Sequence, residues 1–345
     1  MKIRQIAIEE AVGKPLAHDL TKIDAKNRKK GARFKKGQIV TEEDLPVLRD
    51  MGKEHLSILE LESHEMHEDD AALALSEVLA GKNCSIGEPE EGRINLYATC
   101  DGLLSYDPGM VHRVNEDPDW VLATISPHRQ VRKGQTIAGF RIRPLVMERH
   151  RVELAVNAAR RMDVLPFKPL KAGLVTTGKE LAEGRIEDAF AEKFRRKLAE
   201  FGGALIGQRF STDDVEEIAG AIRAFIAEGA DIIVCTGGMS VDADDKTPGG
   251  IGTVARKIAF RGVPILPGAM LMLGWADSRS GEGDVAILGS PACVVHDERT
   301  ALDCMLPFLF AGEDPTPYVR QWGVGGLCER CPTCHWPVCS YSSDC

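Results

Sequence analysis

Between Lys171 and Phe310 the apolar positions follow two alternating patterns. Lys171-Ala-Gly-Leu-Val-Thr-Thr177, Ala204 to Phe210, Ile232-Ile-Val234 and Asp284-Val-Ala-Ile-Leu-Gly289 are short runs of the kind that forms strands buried on both faces. Between the first two of these runs, Ile186, Phe190, Phe194, Leu198 and Phe201 recur at helical spacing. The same holds for Ile218, Ile222, Phe225 and Ile226 further on. Ser211-Thr-Asp-Asp214 caps the second helix, and Gly202-Gly203 and Gly229 close the two in turn. Ser290-Pro291 leads into a last helix from about Ala292 to Phe310. Strand and helix alternating at these spacings predict an α/β fold, a parallel sheet flanked by helices and joined by right-handed crossovers.

Upstream the pattern is mixed. Thr41-Glu-Glu-Asp44 has capping-box form ahead of Leu45, Val47 and Leu48, and His55 to Leu61 alternates in part as a strand. Ala71 to Leu79 reads as a strong helix, entered through Ser63-His64-Glu-Met-His67-Glu-Asp-Asp70. His64 and His67 beside acids have metal-ligand chemistry, but an acidic first turn favoured by the helix dipole is the plainer account. From Gly92 to Met147 the period becomes two, in Arg93 to Thr99, Trp120 to Ile125 and Arg132 to Arg143. These shifts divide the chain into an N-terminal α/β region (1–90), a β-rich subdomain (91–147), a linking helix with Pro166 and Pro169 (148–169), the α/β domain (170–313) and a tail (314–345).

Composition narrows the partners. With 345 residues, 43% hydrophobic and 28% charged, the chain has the make-up of a globular protein large enough for two or three domains. A formal charge of −9 argues against nucleic acid or an anionic membrane as the main partner. The first residues mix charges with apolar positions, unlike a secretory signal, and the apolar run Val263 to Ala276 is broken by Pro264, Pro267, Gly268 and Gly274. A cytoplasmic location follows as the expectation, with the ten cysteines reduced.

Candidate chemistry collects where strands end. Asp231 to Pro248 runs from a buried strand into Thr236-Gly237-Gly238, then Ser240, Asp242, Asp244 and Asp245, then Lys246-Thr247-Pro248. Adjacent glycines bring bare N–H groups close to a ligand, and the carboxyl ends of parallel strands are where open α/β sheets bind. Nearby carboxylates repel a phosphate unless a divalent cation such as Mg²⁺ lies between. The plainer account is a tight turn beside a solvated acidic stretch. Thr177-Gly178-Lys179-Glu180, Asp213-Asp214 and Gly289-Ser290-Pro291 follow the other strands, and in a parallel sheet all of these share one edge.

Thr236-Gly-Gly-Met-Ser240 followed by Asp245-Lys-Thr247-Pro248 resembles the molybdopterin-binding domain shared by molybdopterin adenylyltransferases and molybdenumtransferases. The spacing from Thr236 to Asp245, Thr247 and Pro248 is similar to the adenylyltransferase form, and Ser240 to the molybdenumtransferase form. Thr177-Gly178-Lys179-Glu180-Leu181 is similar to the family's Thr-Gly-acid-Glu-Leu turn, with Lys179 replacing the acid. The resemblance covers roughly Lys171 to Gly312, and residues 1–147 look like a divergent molybdenumtransferase-like subgroup. It implies catalytic roles for Asp245, Glu180 and Asp214, Mg²⁺ on Asp245 and Asp214, and molybdopterin or adenylyl-molybdopterin held at Thr177, Gly178, Thr236, Gly237, Gly238, Ser240, Thr247, Gly289 and Pro291. It also implies molybdate as co-substrate and a homodimer. The Met-Asp-Gly-Tyr and Thr-Gly-Ala-Pro-Leu-Pro segments of the standard enzymes are missing, as is their carboxyl-terminal barrel, so pterin binding follows more directly than transferase activity. The other role open to such a chain is a carrier that passes the cofactor to a molybdoenzyme.

Five of the ten cysteines fall in the tail, where Cys328, Cys331, Cys334 and Cys339 have x₂, x₂ and x₄ spacing, with His335 and Cys345 nearby. Reduced thiols this dense point to a metal, zinc or an iron–sulfur cluster, as against a redox-reactive tail.

Overall fold

The computed structural model describes residues 2–17, 19–24, 29–178, 190–239 and 245–341. They form two compact units. No helix among them is long and apolar enough to cross a membrane.

The first unit takes the chain up to Tyr97 with Tyr106–Thr124 and Thr136–Met162. Strands Lys2–Ala7 and His55–Glu60 pair antiparallel over a small core of Ile6, Ile8, Leu16, Phe34, Leu48 and Ile58. The capping box at Thr41 and Asp44 is formed as the sequence predicts. A four-stranded antiparallel sheet follows in the order Cys84–Ile86, Arg93–Ala98, Thr136–Ile142, Trp120–Thr124. The predicted helix spans Glu68–Leu79, with Glu68, Asp69 and Asp70 in its first turn and His67 as N-cap.

The second unit, Ala98–Ser105, Ile125–Gln135 and Asp163 onward, holds the α/β domain. Its strands are β1 (Lys171–Thr177), β2 (Ala204–Ser211), β3 (Ile232–Thr236), β4 (Lys257–Arg261), β5 (Met272–Asp277) and β6 (Asp284–Ser290). Its helices are α1 (Phe190–Ala199), α2 (Val215–Ala227), α3 (Thr247–Val254), α4 (Cys293–His296) and α5 (Ala301–Ala311). The sheet order is β2-β1-β3-β6-β5-β4, and the first four strands are parallel. Side chains alternate across the sheet. Leu174, Val234 and Leu288 enter the core that includes α1 and α5, while Val175, Ile233, Cys235 and Ile287 enter the one that includes α2.

The structure departs from the sequence reading in four places. The sheet is mixed, because β4 and β5 join antiparallel at one edge. The last helix is broken: α4 ends at His296, and a new capping box of Thr300 and Asp303 starts α5. The β-rich segment is not one module, since 98–105 and 125–135 belong with the second unit. The tail is not a separate segment either, because Val319, Trp322 and Tyr341 are buried in the core around α5.

Candidate functional site

The order β2-β1-β3 places a switch point between β1 and β3, where the chain has crossed to one side and then to the other. Thr176 and Thr236 are register partners there, so the turns after Thr177 and Thr236 emerge side by side. Gly178, Gly237 and Gly238 all have positive φ, at 136°, 93° and 54°. A side chain on Gly237 would begin 2.4 Å from the Thr177 carbonyl oxygen, and one on Gly238 would begin 2.9 Å from Thr247 Oγ1. Only glycine fits both the conformation and the space.

Buried threonines lock this turn. Thr247 Oγ1 donates to the Gly237 carbonyl at 2.8 Å, Thr177 Oγ1 reaches the Thr236 carbonyl at 3.2 Å, and the two hydroxyls meet at 3.1 Å. Two hydroxyl protons serve three contacts, so the network is compact and shared. It ties the first residue of α3 to the glycine turn, so the orphan N–H groups of that helix end stand beside it. Lys246 is the N-cap and Pro248 lies in the first turn of α3.

The acids divide by role. Asp245 Oδ2 is buried without a hydrogen-bond partner among the described residues, a costly state for a carboxylate unless a ligand or cation completes it. Asp214 is the N-cap of α2, with Oδ1 accepting from the N–H groups of Glu216 and Glu217 at 2.9 and 3.0 Å. Its neighbour Asp213, which the sequence pattern places at the same strand end but to which the resemblance gives no role, is the acid beside the turn, with Oδ1 3.7 Å from where a Gly238 side chain would start. Capping chemistry spends one aspartate of the pair and leaves the other at the site.

Of the remaining sequence candidates, Thr177, Gly178, Thr236, Gly237, Gly238 and Thr247 come together as described. Ser290 pairs in register with Thr236 and is buried, with its hydroxyl unpartnered among the described residues. Gly289 is filled over by Met239, whose Cε lies 2.5 Å from the position a side chain would take, so Gly289 serves packing beneath the turn. Pro291 directly follows β6 on the same edge. Glu180 and Ser240 lie outside the described residues. His67 acts as a helix cap, its Nδ1 accepting from the Asp69 N–H at 3.3 Å. Among the described residues no group of three or more His, Cys, Asp or Glu side chains is placed to hold a metal ion, in the tail or elsewhere.

An α/β sheet with a glycine turn and a helix N-terminus at its switch point is the arrangement in which open α/β sheets carry their ligand sites. The family profile described as "Probable molybdopterin binding domain" matches residues 173–311, and a domain of unknown function (DUF8806) matches residues 5–60. Residues 173–311 therefore form a domain of the molybdopterin-binding family, of the type found in molybdenum cofactor biosynthesis. The chain is 37% identical over 86 residues to a CinA-like protein of Mycobacterium sp. (strain MCS), a match covering 25% of this chain and 20% of that one. A CinA-like protein of Frankia casuarinae is 35% identical over 86 residues, with the same coverage. The chain thus spans about a fifth of the length of these relatives. Among solved structures, the tungsten cofactor synthesizing protein MoaB from Pyrococcus furiosus aligns at 20% identity and TM-score 0.32, over 40% of this chain and 90% of that one.

Proposed function

We propose that this protein binds molybdopterin, or its adenylylated form, at the carboxyl edge of β1 and β3 and acts in molybdate insertion. The observation that carries the reading is the locked Gly237-Gly238 turn, tied by Thr247 to a segment in which Asp245 Oδ2 is buried with no partner among the described residues. Bare N–H groups of the turn and of the α3 N-terminus hold a phosphoryl group, and Thr177 and Thr247 keep those groups in place before the ligand arrives. Asp245 fits a divalent cation, because its buried oxygen has no partner among the described residues and a positive one would complete it. Mg²⁺ bound there would supply Lewis-acid polarisation of the phosphoanhydride. Asp214 fits that role less well with its Oδ1 committed to α2. Glu180, as the resemblance implies, orients the ligand. Partners on this reading are molybdopterin and molybdate, with a homodimer as the assembly.

A second role, a carrier delivering the cofactor to a molybdoenzyme, is favoured by the missing Met-Asp-Gly-Tyr segment. Incubation with adenylylated molybdopterin, molybdate and Mg²⁺ separates the two. Insertion predicts AMP release that Asp245→Asn abolishes, and tight binding without AMP release supports the carrier. Lack of affinity for either pterin species defeats both.

A further inference from the structure

β2 is the edge strand of the six-stranded sheet, and its last residues reach the rim on which the glycine turns stand. Phe210 is the register partner of Thr176, and Thr176 of Thr236, so the three form one row across β2, β1 and β3. The next residue, Ser211, accepts from the Gly178 N–H at 3.1 Å, which bonds the turn after β1 to the end of β2. Two residues further on, Asp213 lies beside Gly238, so the chain after Phe210 runs along the site. We infer, on the pterin reading above, that the Phe210 ring stacks on the flat pterin ring of the ligand whose phosphoryl group the Gly237-Gly238 turn holds.

A lone exposed apolar side chain is ordinary on a protein surface. Here the position decides. Register partners in a parallel pair share a face, and so do residues two apart on a strand, so Phe210 lies on the face that carries Leu174 and Val234. Lower on that face the apolar side chains belong to the core that includes α1 and α5, yet at the rim Phe210 is 48% exposed. Its neighbour Arg209 is occupied on the other face, with its guanidinium 4.0 Å from the Phe225 ring centre and a 2.6 Å ion pair to Glu228. Phe210 has no ring contact among the described residues.

Span fits the ligand. Neighbouring strands lie about 4.8 Å apart, so the row from β2 to β3 covers about 10 Å. A ligand held by its phosphoryl group at the turn after β3 can set a flat ring against Phe210 when a short carbon chain joins the two, as in molybdopterin. The phenyl face offers that ring a stacking surface and no hydrogen bond.

The test compares the full-length wild type with Phe210→Ala and Phe210→Trp in oxygen-free titrations, with molybdopterin, AMP and pyrophosphate as separate probes. Phe210→Ala should weaken molybdopterin binding about tenfold, the size of a lost ring stack. Pyrophosphate affinity should stay unchanged, and Phe210→Trp should retain molybdopterin affinity. Far-ultraviolet circular dichroism of both variants should match the wild type, because the ring is half exposed. Unchanged molybdopterin affinity in Phe210→Ala overturns the stacking role and leaves the pterin reading intact, and so does a loss confined to AMP. An equal loss for pyrophosphate makes Phe210 a support of the turn and overturns it too. A wild type without affinity for molybdopterin defeats the stacking role and the pterin reading together.

Discussion

Glu68 begins its helix with a buried carboxyl group, and burial pushes its pKa up to about 7, with repulsion from Asp69 adding to the shift and Arg141 opposing it. An unfolded glutamate titrates near 4.3, so the folded state holds this proton more tightly. Its contribution to stability is present below about pH 4 and is lost as pH rises through about 7. Glu68→Gln keeps the neutral form at every pH. The variant should therefore gain on the wild type between pH 5 and pH 8, by on the order of 2 kcal/mol, in urea unfolding at a series of pH values. A stability difference that does not change with pH would refute the assignment. Sequence reading took this turn for a dipole-favoured acidic start, which the cap at His67 supports, but burial of Glu68 depends on Gly37 and Gly92 packing around its carboxylate. Nothing local in the sequence announces such packing. The same holds at the candidate site. Gly237, Gly238 and Thr247 were legible because their spacing carries the chemistry, whereas the choice between Asp213 and Asp214 turns on which carboxylate the helix takes as its cap.

Elements were most legible where both faces are buried. β1, β3 and β6 were readable as apolar runs, and the buried face of α2, Ile218, Ile222 and Phe225, as a helical stripe. β4 and β5 escaped because Gly262, Pro264, Pro267 and Gly268 interrupt the apolar run between them, and β5 itself contains Gly274. The pairing that makes them strands comes from β6, which the local pattern does not show. The break between α4 and α5 has a similar origin. Lys197 and Arg299 both reach Asp303, at 2.5 and 3.0 Å, and fix the start of α5 as a buried polar knot. The assignment of Asp214 to the α2 cap makes its own prediction. Asp214→Ala should cost about 1 kcal/mol of stability by thermal or denaturant unfolding and leave ligand affinity nearly unchanged. Asp213→Asn should do the reverse. If Asp214→Ala instead removes metal-dependent ligand binding at unchanged stability, the capping role is secondary and Asp214 belongs with Asp245.

On the scale of the chain, the tail is where sequence pattern and fold differ most. Cysteine, glycine and proline make up 12 of its 32 residues, and it has no hydrophobic period, so its buried side chains look isolated in the sequence. In the structure Trp322 is fully buried and packs its ring 5.6 Å from Phe308 of α5, while Tyr341 is 3% exposed. Every residue of α5 is buried, so its apolar surface needs cover all round, and the sheet lies on one side of it only. Trp322, Val319 and Tyr318 supply part of the rest. The tail is thus part of the core of the second unit while Cys331 and Cys334 stay exposed, and the two parts can be tested separately. Trp322→Ala should cost about 3–5 kcal/mol by removing a fully buried indole. Cys331→Ser, on an exposed side chain, should cost little. Comparing urea unfolding of the two variants decides the matter: a Trp322→Ala midpoint equal to that of the wild type would mean that the tail does not cover α5. Burial of α5 between sheet and tail would then contribute nothing to stability.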